Sequence, residues 1–492
     1  MLMVNVASLG DNFALTTGGS AKVDEKSMLC LHNAVAGRTY HILKADGNIT
    51  LNDNGTDTPQ NGWLDKNVMG SRFMKFDVDS GDNYYNITVT KADTVLRSGL
   101  IDAILDSGDT AANRWLSAAS INNYSDPNAV DAMMNMAEAG GVMHGMATMV
   151  DTFDDSIFGQ IGLNIREGKK YKNAKLRKTV NEKIDAPKID DVNITELPVA
   201  KTTEIMPQAA EYSEESPFVH EKRVWASYVH NKEKVSGMNL GENFNGKYDM
   251  TVNGATIGAD LWSGETSFGG ISLMYSDGKI NGSTGATTRN DVEYLGIGVY
   301  NRKDLENSIS LMYDMTYING ENDIKQNNSG FEVTAKPKTK TISAGFRLEK
   351  MYDIKNCKLV PFAGLRYMNI DGDKYDNSIG LHYDAGKMNV FSLPLGIKIA
   401  GKEITNNSGW GFKPYGELGY MVNFGDTDNK VEVSYASGSD NFGYDVLDKG
   451  MFFAKLGFAI SNKNMLLTLG YDYTKSSNAH NNKWNISASF TF

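Results

Sequence analysis

About 270 residues at the end of this 492-residue chain repeat with a period of two, and that period constrains the fold more than any other feature. From Arg223 to Phe492, segments of ten or so residues alternate apolar with small or polar side chains; Gly, Asn, Asp and Ser separate them. Between Ser308 and Tyr317, for example, Ile309, Leu311, Tyr313, Met315 and Tyr317 share one face, while Ser308, Ser310, Met312, Asp314 and Thr316 share the other. Met465, Leu467, Leu469, Tyr471 and Tyr473 alternate in the same way with Leu466, Thr468, Gly470 and Asp472. Successive side chains of a strand point to opposite sides, so each segment makes a strand with one greasy and one mostly polar face.

About twelve such segments occur, with cores near 223–233, 252–262, 267–277, 291–302, 307–319, 338–351, 357–370, 388–400, 411–424, 449–460, 464–474 and 483–492. A soluble β-sandwich has the same period. Three features favour the membrane. The segments match the roughly 9–11 residues that a tilted outer-membrane strand needs. Tyr300, Tyr317, Tyr367, Tyr420 and Tyr473 lie near strand ends, as interfacial girdles require. Connections alternate between short (353–356, 461–464) and long polar (319–337, 371–387, 425–449), as periplasmic turns and outer loops do. No stretch reaches 18 apolar residues, so no transmembrane helix is expected; a barrel strand, apolar only at alternate positions, escapes hydropathy averaging. The expectation is an all-β transmembrane barrel of about 12 antiparallel strands over 218–492.

The polar phase carries charge: Asp260, Asp314, Arg347, Arg366, Lys398, Glu417, Lys455 and Asp472. A charge facing lipid is costly, whereas opposite charges in a narrow lumen pair or bind water, so these eight are expected to face inward. In the last segment Trp484, Ile486, Ala488, Phe490 and Phe492 alternate up to the terminal residue. Such an aromatic face on a soluble sheet edge would invite aggregation.

The period changes between Pro127 and Gly159, where Val130, Met133, Met134, Ala137, Val142, Met146, Met149, Val150, Phe153 and Ile157 recur mostly at helical spacing. Asp126 and Pro127 supply a cap and a tolerated first-turn proline. Gly140, Gly141 and Gly145 interrupt the helix and cost propensity, but small residues would let it pass through a tight space. Spacing alone fits two arrangements: a helix plugging the barrel, or an amphipathic helix packed on a β domain. Residues 163–217 form a linker, first basic and then acidic, that cannot bury much of itself. Residues 1–98 show short β-like runs (13–17, 39–43, 47–51, 73–78 and 84–89) joined by polar turns, as at the end of a β-helix, with a small independent β domain as the alternative, and 95–116 reads as short helices. The divisions are therefore 1–98, 99–162, 163–217 and 218–492.

A net charge of −11 argues against a nucleic-acid partner. Cys30 and Cys357 lack zinc-site or disulfide-framework spacing; the 7 histidines form no HExxH; and no Walker A, dinucleotide or GxSxG pattern occurs. No cofactor, metal site or catalytic group is expected. His382 and Asp384 share a long loop without a nucleophile, so a barrel enzyme is the weaker alternative. Met1 to Gly10 has no signal-peptide features, so an exported protein would carry its signal upstream.

Several stretches carry a family resemblance. GATIGADLWSGETSFGGISLMYSDGKING (254–282), YLGIGVY (294–300), LVPFAGLRYM (359–368) and FKPYGELGYMVNF (412–424) resemble barrel strands of the monomeric autotransporters of type V secretion (type Va). VAGRTYHILKADGNI (35–49) resembles the coil near the end of their passengers. Trp484, Ile486, Phe490 and Phe492 resemble the C-terminal signal read by outer-membrane assembly machinery, with Ser487 where that pattern often has Gly. The resemblance implies an outer-membrane translocator and anchor that exports or displays an N-terminal passenger; an adhesin or an omptin-like or lipase-like barrel enzyme is the alternative. It implies a monomeric barrel in contact with outer-membrane lipid, the β-barrel assembly machinery and periplasmic chaperones. The 127–159 helix, with Met133, Met146, Met149 and Phe153, is then left in the pore, the linker is periplasmic, and the passenger lies at the cell surface. Some relatives cut themselves at a helix Asn; here Asn135 stands alone, and no cleavage is expected.

Overall fold

Backbone hydrogen bonding, rather than side-chain packing, closes the C-terminal half. In a computed structural model of the chain, the described residues are 2–53, 56–59, 64–93, 98–122, 128–162, 222–240, 244–264, 266–328, 330–355 and 357–492. The linker expected over 163–217 lies outside them. Twelve long antiparallel strands follow: β1 (Arg223–Asn239), β2 (Asn245–Ser263), β3 (Ser267–Thr284), β4 (Ala286–Asp304), β5 (Ile309–Asn328) and β6 (Lys338–Lys350). They continue as β7 (Cys357–Gly372), β8 (Lys387–Gly401), β9 (Gly411–Gly425), β10 (Gly450–Ser461), β11 (Met465–Ser476) and β12 (Ala479–Thr491). Each pairs with its neighbours in sequence, and β12 returns to β1 along a ladder from Arg223↔Thr491 to Val235↔Ala479. No edge is left, which is the condition for a sheet to stand in lipid.

The two faces of this cylinder differ as the sequence period demands. Leu295, Ile297 and Val299 point outward from β4, while Val292 and Tyr294, on the opposite phase just before them, are buried inside. The outward faces carry Tyr228, Tyr275, Tyr313, Tyr317, Tyr420 and Trp484, all exposed. Tyr300 departs from the expected girdle. It continues the inward phase, is 1 % exposed, accepts from Trp225 Nε1 at 3.0 Å and donates to Asp260 Oδ1 at 2.9 Å. Its position after Val299 fixes that direction, because a strand cannot turn two successive side chains to the same face.

Strands β1 to β5 run 17 to 20 residues, well beyond the membrane-spanning minimum. Their far ends project beyond the apolar band as hairpins whose outward side chains are polar. The connections expected as long loops are also partly strand. Phe331–Ala335 pairs back onto β5, and Tyr375–Asp376, His382–Asp384, Asp428–Tyr435 and Gly438–Asp445 build a separate four-stranded sheet above the barrel. The helix Gly99–Asp106, capped by Ser98 Oγ accepting from Ile101 N at 3.3 Å, sits on that sheet, where Gly438 lets the backbone of Gly99 approach. The following helix is Ala111–Asn122. At its start the Arg114 guanidinium donates to Asp109 at 2.6 Å and holds that carboxyl below its ordinary range.

The described residues between 2 and 91 wind as a solenoid. Leu29 lies on Leu2, Leu43 on Leu15 and Ile49 on Ala21 in parallel ladders, offsets of 27, 28 and 28 residues. One coil therefore takes about 28 residues and stacks in register on the next, as a β-helix does. The antiparallel strands Met74–Gly81 and Tyr84–Lys91 then pair with Arg38–Ala45 and end the parallel stack.

The helical segment expected from Pro127 to Gly159, with interruptions at Gly140, Gly141 and Gly145, is broken into three; its expected cap, Asp126 and Pro127, lies outside the described residues. Asn128–Met134 and Met136–Ala139 are separate short helices, and the long helix is Val142–Ile161. Gly141, at φ +64°, has the left-handed conformation that disconnects it from the preceding turn. Replacing Gly141 with Ala is expected to cost about 1–2 kcal/mol through that backbone alone, with the new Cβ 3.2 Å from the Tyr248 ring. The effect should appear as faster amide hydrogen exchange along Val142–Ile161; unchanged exchange would contradict this reading of the break.

Candidate functional site: the barrel lumen and its helix

The Val142–Ile161 helix has two faces, and the barrel wall answers each. Met146, Met149, Val150, Phe153 and Ile157 form its apolar stripe and are fully buried. They meet a stretch of wall on β4 and β5 kept low by glycine: a Cβ at Gly296 would lie 3.0 Å from the Phe153 ring, one at Gly298 3.3 Å from Ile157, and one at Gly320 2.8 Å from the Met146 methyl. On the helix itself, Gly145 leaves room for the Tyr294 hydroxyl. Of the expected pore-helix residues, Met146, Met149 and Phe153 lie within the lumen. Met133 lies in the preceding short helix, at the mouth, where its carbonyl accepts from Gln326 Nε2 at 3.4 Å.

The opposite face is acidic. Asp151, Asp154 and Asp155 project from it, and the wall offers guanidinium and ammonium groups. Arg366 bridges Asp154 of the helix and Asp314 of the wall, the latter at 2.6 Å, and donates to Ser343 Oγ at 2.6 Å. Lys455 reaches Asp155 at 2.6 Å; Lys483 bonds the same carboxylate and lies 3.5 Å from Asp472. Arg347 contacts Glu349 at 3.0 Å and Glu417 at 3.3 Å, its guanidinium 3.5 Å from the centre of the Phe362 ring. Lys398 pairs with Glu349 at 2.5 Å. All eight charges expected inside, namely Asp260, Asp314, Arg347, Arg366, Lys398, Glu417, Lys455 and Asp472, thus face the lumen and are partnered.

The helix is also fixed at both ends. At its C-terminal end Arg223 donates to Gln160 O at 2.9 Å while pairing with Asp260 at 2.8 Å, and Arg302 donates to Ile161 O at 3.0 Å and Gly162 O at 2.8 Å. Cations on the last carbonyls satisfy groups with no intrahelical partner and complement the helix dipole. At the other end Glu138 accepts from Met143 N at 3.1 Å. His144 bonds Val446 O at 2.8 Å and faces Glu233 at 3.1 Å, whose other oxygen accepts from Thr148 Oγ1 at 3.1 Å.

Sequence reading missed Asp154, Asp155, Arg223, Arg302, Lys483, His144 and Glu233. Lys483 shares the phase of Asn485 and Ser487, and the aspartates lie at spacings of three and four opposite the apolar stripe, so both signals were present. Nothing in the period marks Arg223 or Arg302 as helix caps. Two narrow cavities, about 130 and 150 Å³, follow the acidic face of the helix.

The expected assembly residues Trp484, Ile486, Phe490 and Phe492 all lie on the outer surface of the closing strand region and are exposed. Outside the barrel, His382 pairs with Asp376 at 2.5 Å, whereas Asp384 pairs with Lys374 at 2.7 Å; the two loop residues singled out in the sequence are not brought together.

The Arg366 cluster sets a clear expectation. Arg366→Ala leaves Asp154 and Asp314 facing each other without a counter-charge, and losing one partner of a buried ion pair costs about 3–5 kcal/mol. Thermal unfolding in detergent should show a lower midpoint, partly restored by adding Asp154→Asn. A midpoint equal to the parent's would remove the electrostatic role assigned to this cluster.

Comparison with known proteins agrees with this geometry. The family model of the autotransporter β-domain matches residues 224–474. No curated protein sequence matches the chain. Among solved structures, the β-domain of the Bordetella autotransporter BrkA is similar at 18 % identity and a TM-score of 0.44, covering 55 % of this chain and 100 % of that one. The transport unit of AIDA-I from Escherichia coli is similar at 14 % identity and 0.45, covering 61 % and 94 %. The translocator domain of NalP from Neisseria meningitidis is similar at 13 % identity and 0.43, covering 58 % and 94 %. With the family match spanning just over half of its length, the chain belongs to the autotransporter β-domain family and is an outer-membrane translocator.

Proposed function

We propose that this barrel exports the residues that precede its lumen helix and then displays them at the cell surface, the helix remaining as the plug. The single observation that supports this most is the direction of threading. The helix C-terminus and the start of β1 meet at one mouth, where Arg223 binds Gln160 O at 2.9 Å. The short helices lie at the other mouth: Gly99–Asp106 packs against the outer sheet, and Ala111–Asn122 touches both β5 and the solenoid strand Leu29–His32. A barrel strand that starts and a last strand that ends at the same rim put that rim on the periplasmic side, where outer-membrane barrels keep their short turns. The solenoid is then outside and the 163–217 linker inside the periplasm.

Assembly follows from the same reading. The outward aromatic row Trp484, Ile486, Phe490 and Phe492 is the segment that the β-barrel assembly machinery would recognise, and periplasmic chaperones would hold the chain before insertion. Once inserted, the barrel is a monomer anchored by lipid contact along its apolar band.

The test is protease access in intact cells. With epitope tags placed within 1–98 and within 163–217, the first should be lost to externally added protease and the second protected until the outer membrane is breached. Protection of the first tag, or loss of the second from intact cells, would overturn the proposed topology.

A further inference from the structure

Beyond export, the outer surface carries an unbalanced set of cations. Above the apolar band on one side of the barrel, five basic residues are neutralised locally: Arg289 by Asp291 at 3.0 Å, Lys336 by Asp323 at 3.1 Å, Lys338 by Glu321 at 2.7 Å, Lys340 by Asp373 at 3.0 Å and Lys387 by Asp371 at 2.8 Å. Lys325, exposed and opposite Arg289, is the exception there among the described residues. On the side where the cylinder closes, four such lysines gather. Lys232 and Lys234 of β1, Lys279 of β3 and Lys475 of β11 are exposed, and none has an ion pair among the described residues.

The strand register gathers these four. Tyr473, Asn482, Lys232, Thr251 and Lys279 follow one another across β11, β12, β1, β2 and β3, and Lys475, His480, Lys234 and Asp249 follow in the adjacent row. Asp249 stands opposite Lys234, Asp277 lies beside Lys279 on β3 and Asp291 of β4 stands opposite Lys279; Asp291 is held by Arg289 at 3.0 Å, and among the described residues neither Asp249 nor Asp277 forms an ion pair with a lysine. Immediately below, on the same outward face, Tyr471 and Trp484 pack with ring centres 4.8 Å apart. An aromatic row with ammonium groups one and two register steps beyond it is an amphipathic boundary: rings seat at the headgroup level, and lysine stems can lie along apolar chains while their heads reach for anions.

We infer that this face binds a phosphorylated lipid of the outward leaflet, with its phosphates on Lys232, Lys234, Lys279 and Lys475 and its chains on the apolar surface around Trp484, Tyr228 and Ile486. Charge complementarity selects that occupant. Unpaired cations at the headgroup level attract anionic lipid; an ammonium held by a neighbouring carboxylate has no such demand. The closing side of the barrel thereby gains an anchor where β12 meets β1. This inference rests on the outer-membrane reading.

The test uses the full chain in lipid nanodiscs and then native mass spectrometry, with a lipid A carrying two phosphates and its fully dephosphorylated counterpart as probes. The parent protein is expected to retain the phosphorylated lipid in preference. Lys232→Gln, Lys234→Gln, Lys279→Gln and Lys475→Gln together should weaken retention roughly tenfold or more. Lys336→Gln, Lys338→Gln, Lys340→Gln and Lys387→Gln together remove the same charge from the other side and should leave retention unchanged. Equal loss in both variants, no loss in the first, or equal retention of the dephosphorylated lipid would overturn the inference. Failure of the barrel to enter nanodiscs at all would instead overturn the outer-membrane reading on which it rests.

Discussion

Lipid offers no hydrogen-bond partner to a peptide group, and the ladder between β1 and β12 is what removes the problem. Thirteen residue pairs, from Arg223↔Thr491 to Val235↔Ala479, join the two ends of the sheet. Without that ladder both strands would present a row of bare N–H and C=O groups to hydrocarbon, each costing several kcal/mol. With it, every strand has two neighbours, the period-two face can be given wholly to lipid, and the interior becomes a space of fixed size. The short rise of the glycine-lowered wall at Gly296, Gly298 and Gly320 then decides where in that space a helix can lie.

Once the helix is inside, charge rather than packing sets its rotation. Its apolar stripe would fit many greasy surfaces; its aspartates would not. Asp154 and Asp155 each meet a cation from the wall, and Arg223 and Arg302 hold the last carbonyls. Replacing such groups with apolar ones of equal volume need not destabilise a protein, but removing one member of a set does. The arrangement therefore specifies register and direction more than it adds stability. That specificity suits a helix that has to lie at one position in the lumen.

Much of this was legible in the sequence because a strand's geometry leaves it little freedom. Alternation alone located the strands and assigned Asp314, Arg347, Arg366, Glu417 and their companions to the inside. The failures have physical causes. Residue type and a place near a strand end put Tyr300 in the girdle, whereas the phase of Leu295, Ile297 and Val299 turns it inward. Gly140 and Gly141 mark one break of the helix in the sequence, whereas the break at Asn135 leaves the apolar spacing intact and shows only in the backbone. The solenoid strands Leu2–Asn5, Ala21–Asp24 and Leu29–His32 were missed since a strand of four residues carries too few alternations to register. The outer sheet passes for loop because its strands are short or polar on both faces; two of its three pairings are local hairpins, and only His382–Asp384 with Asp428–Tyr435 joins distant segments.

The central claim is that side chains of one phase touch lipid and those of the other do not, in a closed cylinder. Its most direct measurement is spin-label accessibility along β12, with single cysteines placed in turn at Trp484, Asn485, Ile486, Ser487 and Ala488 in a chain whose Cys30 and Cys357 are serine. In lipid bilayers, labels at 484, 486 and 488 should collide freely with dissolved oxygen and those at 485 and 487 should be shielded from it. A flat profile, or one in which 485 and 487 are the oxygen-accessible positions, would contradict the barrel and everything placed inside it.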